Sequence, residues 1–329
     1  MTTRRRGKSK ANLELIQLGH DIAERNHPIT VRGLCYKLFV RGLIPDMSKK
    51  STQRVSQQLT DAREKNICGW RDDWRWIVDE TREAERIASW KDPGSLMHAA
   101  VSQYRRDNWR AQPKVVELWS EKGTVRGVCK PVLDEFGITF RVMHGYASYS
   151  AIREVAEEIN RSGKPFIAIY VGDHDPSGRH MSDADAPARL RRYLSYAAED
   201  RLDLNALFFD DDDVADDDDE PENDAFVIER VAIAKQDCTE ALPSFPASDK
   251  RKDTRYPWFV ERHGHRCWEL DAMDEVELRQ RVRDAIQAHM DMDRWALDLA
   301  IEKRETDSMA EYFDAIKATA RHYRRHRQS

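Results

Sequence analysis

Residues 165–178 read PFIAIYVGDHDPSG. The apolar run Phe166 to Val171, rich in β-branched and aromatic side chains, predicts a strand buried on both faces. It breaks at Gly172 into turn-forming residue types, so DHDPSG also satisfies a plain turn. Alternate residues of an extended segment point the same way, and Asp173 and Asp175 can therefore face one point while His174 looks elsewhere. Working outward, KVVELWS (114–120), ITFRVMH (138–144) and AFVIERVAI (225–233) read as three further buried strands. Helical stretches near 123–135, 148–161 and 181–199 separate them. This alternation predicts a four-stranded parallel α/β sheet with flanking helices and right-handed crossovers. Ligands collect at the C-terminal ends of such strands. Glu121 follows the first strand there, and Asp173 and Asp175 follow the third. Converging carboxylates raise one another's pKa unless a cation neutralises them. An all-oxygen set of this kind suits Mg²⁺, with water and phosphate completing the shell.

The N-terminal part has a different texture. Residues 11–25 carry apolar side chains at helical spacing and are stopped by Asn26-His27-Pro28. Thr30 is a candidate N-cap for a helix over 31–42, and a third helix runs from about Ser51 to Lys65 with Arg54, Gln57, Gln58 and Arg63 on it. The Trp-rich stretch WRDDWRWIVD (70–79) reads as short extended segments. Three helices and a small β wing form the layout of an α+β winged-helix domain, whose third helix enters a DNA groove. At about 100° per residue, Val31, Leu34, Cys35, Leu38 and Phe39 make one apolar stripe, and Tyr36 lies roughly 130° from its centre. Tyr36 is therefore expected off the core, with Arg32 on a neighbouring face.

SEKGTVRGV (120–128), HGYAS (144–148) and GDHDPSG (172–178) resemble, in order and spacing, the three motifs of a Toprim domain. The DxDPxG form looks most like the topoisomerase VI A subunit and its relative, the meiotic double-strand-break transesterase. That family sets a winged-helix domain before Toprim and keeps its nucleophile in an R-x-x-aromatic-Y motif. Arg32-Gly33-Leu34-Cys35-Tyr36 stands in that position, with Cys35 in place of the aromatic residue. The resemblance spans about 25–85 and 114–235. It implies Glu121, Asp173 and Asp175 as Mg²⁺ ligands, Tyr36 as nucleophile, and Arg32 and Lys122 as stabilising cations. The implied activity is type IIB DNA topoisomerase-like cleavage of double-stranded DNA by a homodimer, through a 5′-phosphotyrosyl link. A phenol with a pKa near 10 is only about one part in a thousand ionised at pH 7, a shortfall of roughly 4 kcal/mol that Arg32 and a bound phosphate would offset.

The expected organisation is a winged-helix domain over 1–85, a helical connector over 86–112, a Toprim domain over 113–270 and a helical tail over 271–329. The chain has no Gly-rich ATP motif, so strand passage would need a possible separate ATPase subunit. The rival readings are a Toprim nuclease in which water replaces Tyr36, and a non-enzymatic DNA-binding regulator. Primase activity is set aside because no polymerase-associated zinc module accompanies the motifs.

Composition agrees with a nucleic-acid partner once charge is mapped along the chain. The net charge is -5, yet residues 1–110 hold 22 Lys and Arg against 14 Asp and Glu. Much of the acidity lies in DDDDVADDDDEPEND (210–224), which reads as a solvated loop inside the Toprim domain. Charged residues make up 34% of the chain, and no apolar run reaches the roughly 18 residues of a membrane span. A soluble, cytoplasmic protein is expected. The 5 cysteines form no CxxC, which argues for reduced thiols rather than a disulfide framework or zinc site. The stretch 235–268, rich in Arg, Lys and aromatic residues, is expected to be irregular.

Overall fold

A computed structural model describes residues 8–78, 87–143, 149–196 and 225–326. The motif at 144–148 and the acidic run at 210–224 lie outside the described residues. The chain divides into two compact units, residues 1–83 with 116–286, and residues 84–115 with 287–329.

The first unit begins with helices α1 (Lys10–Asn26), α2 (Val31–Val40) and α3 (Lys49–Lys65), with the two-residue strand β1 (Ile29–Thr30) between α1 and α2. Each helix starts at a hydroxyl cap: Ser9, Thr30 and Ser48 accept from the backbone N–H of Asn12, Gly33 and Ser51. Leu15, Ile16, Ile22, Leu34, Leu38, Val55 and Leu59 close a core between them. The Trp-rich stretch departs from the expected wing. Trp70 is fully buried in this core, its indole N–H donating to Ile16 O at 3.2 Å. Trp74–Trp76 forms a 3₁₀ turn, and only β2 (Ile77–Val78) is extended, pairing parallel to β1. Trp76 also serves packing, lying 5.0 Å from the ring of His20 and stacking on that of His27.

The sheet expected from the sequence is present. Strands β3 (Val115–Ser120), β4 (Thr139–Val142), β5 (Phe166–Val171) and β6 (Phe226–Ala232) align in the order β4-β3-β5-β6. All four run parallel, an arrangement compatible with a Toprim-type core. β5 lies at the centre and is buried along its whole length, as its apolar run predicts. Helices α5 (Val125–Phe136) and α6 (Tyr149–Ser162) flank the sheet, and α7 (Pro176–His180) leads through a π turn into α8 (186–196). Residues 244–268 are more ordered than expected. Strands β7 (Ser244–Pro246) and β8 (Arg266–Trp268) pair antiparallel around α9 (Tyr256–His263), and Ala247, Phe259 and Cys267 form a small core beneath them. Helix α10 (Glu275–Ala288) completes the unit.

In the second unit, α4 (Pro93–Gln103) packs against the long helix α11 (Met292–His326). Polar contacts reinforce the pairing: Tyr104 donates its hydroxyl to Glu305 at 2.7 Å, and Arg106 reaches Glu305 at 2.6 Å. Among the described residues no helix is long and apolar enough to cross a membrane. All five cysteines are free thiols.

Candidate active site

β3 delivers Glu121 and Lys122 to the C-terminal edge of the sheet, and β5 delivers Asp173, His174 and Asp175. Alternation along 173–175 holds. The His174 ring turns into an aromatic nest formed by Phe259, His263 and Trp268, with ring centroids 5.4–5.6 Å away. Its backbone pairs in both directions with Trp268, at 2.9 and 3.1 Å. Asp175 acts as both turn residue and acidic group: one oxygen caps α7 by accepting from Gly178 N at 2.8 Å, and the other meets Lys250 Nζ at 3.0 Å. Gly178 is required by close approach, since a Cβ there would stand 2.4 Å from Asp173 O.

Asp173 accepts from Leu270 N and from Lys122 Nζ, each at 2.7 Å, and Lys122 also donates to Asp271 at 2.8 Å. Burial, and then the charges of Asp173 and Asp175, push Glu121 up to about 7. Burial likewise raises Asp173, against the pull of Lys122. Asp271 and Asp173 hold the Lys122 ammonium well above the usual lysine range despite its burial. Among the described residues no three His, Cys, Asp or Glu side chains form a ready metal cage. Lys122 and Lys250 pair with the aspartates, and Lys122 and Arg230 only partly offset the repulsion on Glu121. The side chains that would hold a hard divalent cation are Glu121, Asp173 and Asp175, all oxygen donors. Glu121, raised by Asp173 and Asp175, and Asp173, raised by burial and Asp175, are groups whose repulsion a bound cation would relieve.

Tyr36 is not where the helical wheel places it. It is only 5% exposed, because α2 is covered on two sides: its apolar stripe packs on α1 and α3, and its opposite side packs on residues 270–272. Glu269 forms a two-pronged ion pair with Arg32, whose guanidinium stands 5.9 Å from the Tyr36 ring centroid. Burial, followed by the charge of Glu269, drives the phenol well above its ordinary pKa, with Arg32 opposing. Arg32 is thus engaged with a carboxylate rather than open to a phosphate. At Gly33 a Cβ would lie 2.4 Å from Glu275 Oε1, so a larger residue would require the Glu275 carboxylate to move.

Arg32 and Glu269 border two clefts. One, of about 640 Å³, holds Lys122, Asp173 and Asp271; the other, of about 450 Å³, holds Tyr36, Phe245 and Lys250. Of the four residues read as DNA-facing on α3, Arg63 lines the first cleft together with Ser56 and Thr60. Arg54 donates to Asn12 at 2.8 Å, Gln58 accepts from Lys8 at 2.6 Å, and Gln57 reaches Asp61 at 3.5 Å.

Sequence reasoning missed four contributors. Asp271 and Glu269 follow a tryptophan in WELD, a pattern with no periodic signal. Lys250 sat unremarked in the basic stretch after β6. Arg230, with Glu229, interrupts an otherwise apolar strand, and that was a usable signal. Its guanidinium donates to Gly172 O and Gly178 O, each at 2.8 Å, and so ties the acidic loop to β6.

No protein-family model, curated protein or solved structure matches this chain.

Proposed function

We propose that the chain is a Mg²⁺-dependent, DNA-cleaving transesterase of the kind found in type IIB topoisomerase A subunits, its first three helices acting as a winged-helix variant. The observation that carries this reading is the elevation of Glu121 and Asp173 by burial and by neighbouring carboxylates at the C-terminal edge of a parallel sheet, with Lys122 beside them. Glu121, Asp173 and Asp175 would hold the cation, which supplies charge neutralisation at a phosphodiester. Lys122 would donate to a phosphoryl oxygen. Tyr36 Oη would form the bond to phosphorus while the P–O3′ bond breaks. Glu269, beside the phenol, would take its proton, and the 3′ oxygen would leave as a hydroxyl after protonation by solvent. Because Tyr36 lines a cleft other than that of Lys122 and Asp173, the reading favours a homodimer in which the tyrosine of one protomer serves the acidic site of the other. A separate ATPase subunit would supply strand passage.

Supercoiled plasmid incubated with Mg²⁺ or EDTA, then denatured with and without protease, tests the proposal. Cleaved DNA whose 5′ ends carry protein until protease is added is the expected product. The burial of Tyr36 favours one competing reading, hydrolysis by water at the acidic site, which would leave free 5′ phosphates. Binding without any cleavage would reduce the chain to a DNA-binding regulator.

A further inference from the structure

Helix α3 carries polar side chains on two faces. Along its outer face Arg54, Gln57 and Gln58 engage Asn12, Asp61 and Lys8. Along its inner face Ser56, Thr60 and Arg63, spaced i, i+4 and i+7, share one stripe. That stripe forms a wall of the 640 Å³ cleft whose other lining includes Arg32, Lys122, Thr124 and Asp173. We propose that this cleft is the track for the backbone of the DNA strand to be cut. Ser56 and Thr124 would donate hydroxyls to phosphates next to the one held at Lys122, Thr60 would exchange its present bond to Ser56 O for one to phosphate, and Arg63, whose Nε donates to Leu59 O, would turn its guanidinium to the same strand. The inference rests on the DNA-cleaving reading and adds the path of the strand.

Three features support it. The lining is rich in hydroxyl and cationic donors and contains only two aliphatic side chains, Val31 and Ile77, which suits a phosphodiester rather than an apolar ligand. Its three carboxylates, Asp173, Glu269 and Asp271, are equalled in number by its three cations, Arg32, Arg63 and Lys122, so the lining as a whole carries no net charge against an incoming anion. Asp173 also lines the cleft, so a strand lying along α3 would pass the acidic edge of the sheet. Contacts of this type fix register without reading bases, and binding should therefore be nearly independent of sequence. That departs from a recognition helix reading a major groove through Arg54, Gln57 and Gln58.

The test is duplex DNA affinity, measured by fluorescence anisotropy across a salt series, for the parent, Arg63→Gln, Ser56→Ala/Thr60→Ala and Arg54→Gln, with a thermal melt on each. Arg63→Gln is expected to weaken binding about tenfold at low salt and to lower the salt slope by about one ion. The hydroxyl double variant should weaken binding by roughly threefold to tenfold, with little change in slope because no charge is removed. If Arg63→Gln does not fold, the hydroxyl double variant decides alone. Parent-like affinity in the inner-face variants, or a larger loss in Arg54→Gln than in either, overturns the track. A parent that binds no duplex at all refutes the DNA-cleaving reading instead, before any variant is compared.

Discussion

The acidic loop and the tyrosine pocket meet at Arg32 and Glu269, yet they are built on different principles. The loop at 173–175 is held by many independent contacts: Arg230 from β6, the backbone of Trp268, the cap on α7 and two lysines. Tyr36 is governed by one ion pair and by burial. The loop is therefore preorganised, while the tyrosine is in a resting arrangement whose phenol is harder to ionise than a free one. In the proposed reading, a site with one fixed half and one latched half would bind a cation and phosphate before its nucleophile is released.

Breaking the fixed half should have the largest effect. Asp173→Ala is expected to lower Mg²⁺-dependent plasmid cleavage by roughly a hundredfold to a thousandfold or more, with duplex affinity within a fewfold of the parent. Cleavage at the parent rate would remove the acidic cluster from the chemistry. At the latched half, Tyr36→Phe takes away one hydroxyl and should change stability by only about 1 kcal/mol. Covalent protein–DNA adduct, scored by labelled DNA migrating with denatured protein, should disappear, whereas its persistence would exonerate the tyrosine.

Gly178→Ala probes the rigidity of the loop without touching a charge. Its methyl group meets Asp173 O, so a loss of about 1–3 kcal/mol in chemical denaturation is expected. An unchanged midpoint would show that the loop yields easily.

The smallest effect is a divergence with pH. Burial, then the charge of Arg179, pushes His174 to about 3 and His263 to about 4, from 6.5. The unfolded chain takes up protons below about 6.5 and the folded chain does not, so their stability contribution is complete above that pH and falls on acidification. Beside α2, burial raises Glu275 to about 7 from 4.5, against the pull of Lys37. Its contribution is complete below about 4.5 and is lost as pH rises through about 7. Hydrogen exchange between about pH 7.5 and 5.5 should, after correction for intrinsic rates, show the loop loosening and α2 tightening. Parallel changes in both regions would mean that the two are not built separately.

What could be read from the sequence follows the range of the signals. Strands β3, β5 and β6, their helices and the alternation at Asp173-His174-Asp175 are local patterns and emerge as expected. Thr30 as a helix cap is equally local; its second bond, to Asp271 at 2.8 Å, is not. The covering of Tyr36 comes from residues more than 200 positions along the chain, so a helical wheel counts one neighbour where the fold supplies two. The Trp-rich stretch differs from its expected extended form for a related reason. Tryptophans suit strands and cores alike, and Trp70 went to the core because α1 and α3 left room for an indole. Lys122 was recognised as a cation near the site, but its sharing between Asp173 and Asp271 depends on a segment without periodicity.

The most direct test of the central claim, that Glu121, Asp173 and Asp175 hold a divalent cation, is an electron paramagnetic resonance titration with Mn²⁺ standing in for Mg²⁺. The parent protein should remove Mn²⁺ from the free-ion signal at neutral pH, with weaker uptake as pH falls below about 7, where Glu121 takes up a proton. Asp173→Asn and Glu121→Gln should each lose most of that uptake. A parent that leaves the free Mn²⁺ signal unchanged, or variants that bind the ion as the parent does, would contradict the account.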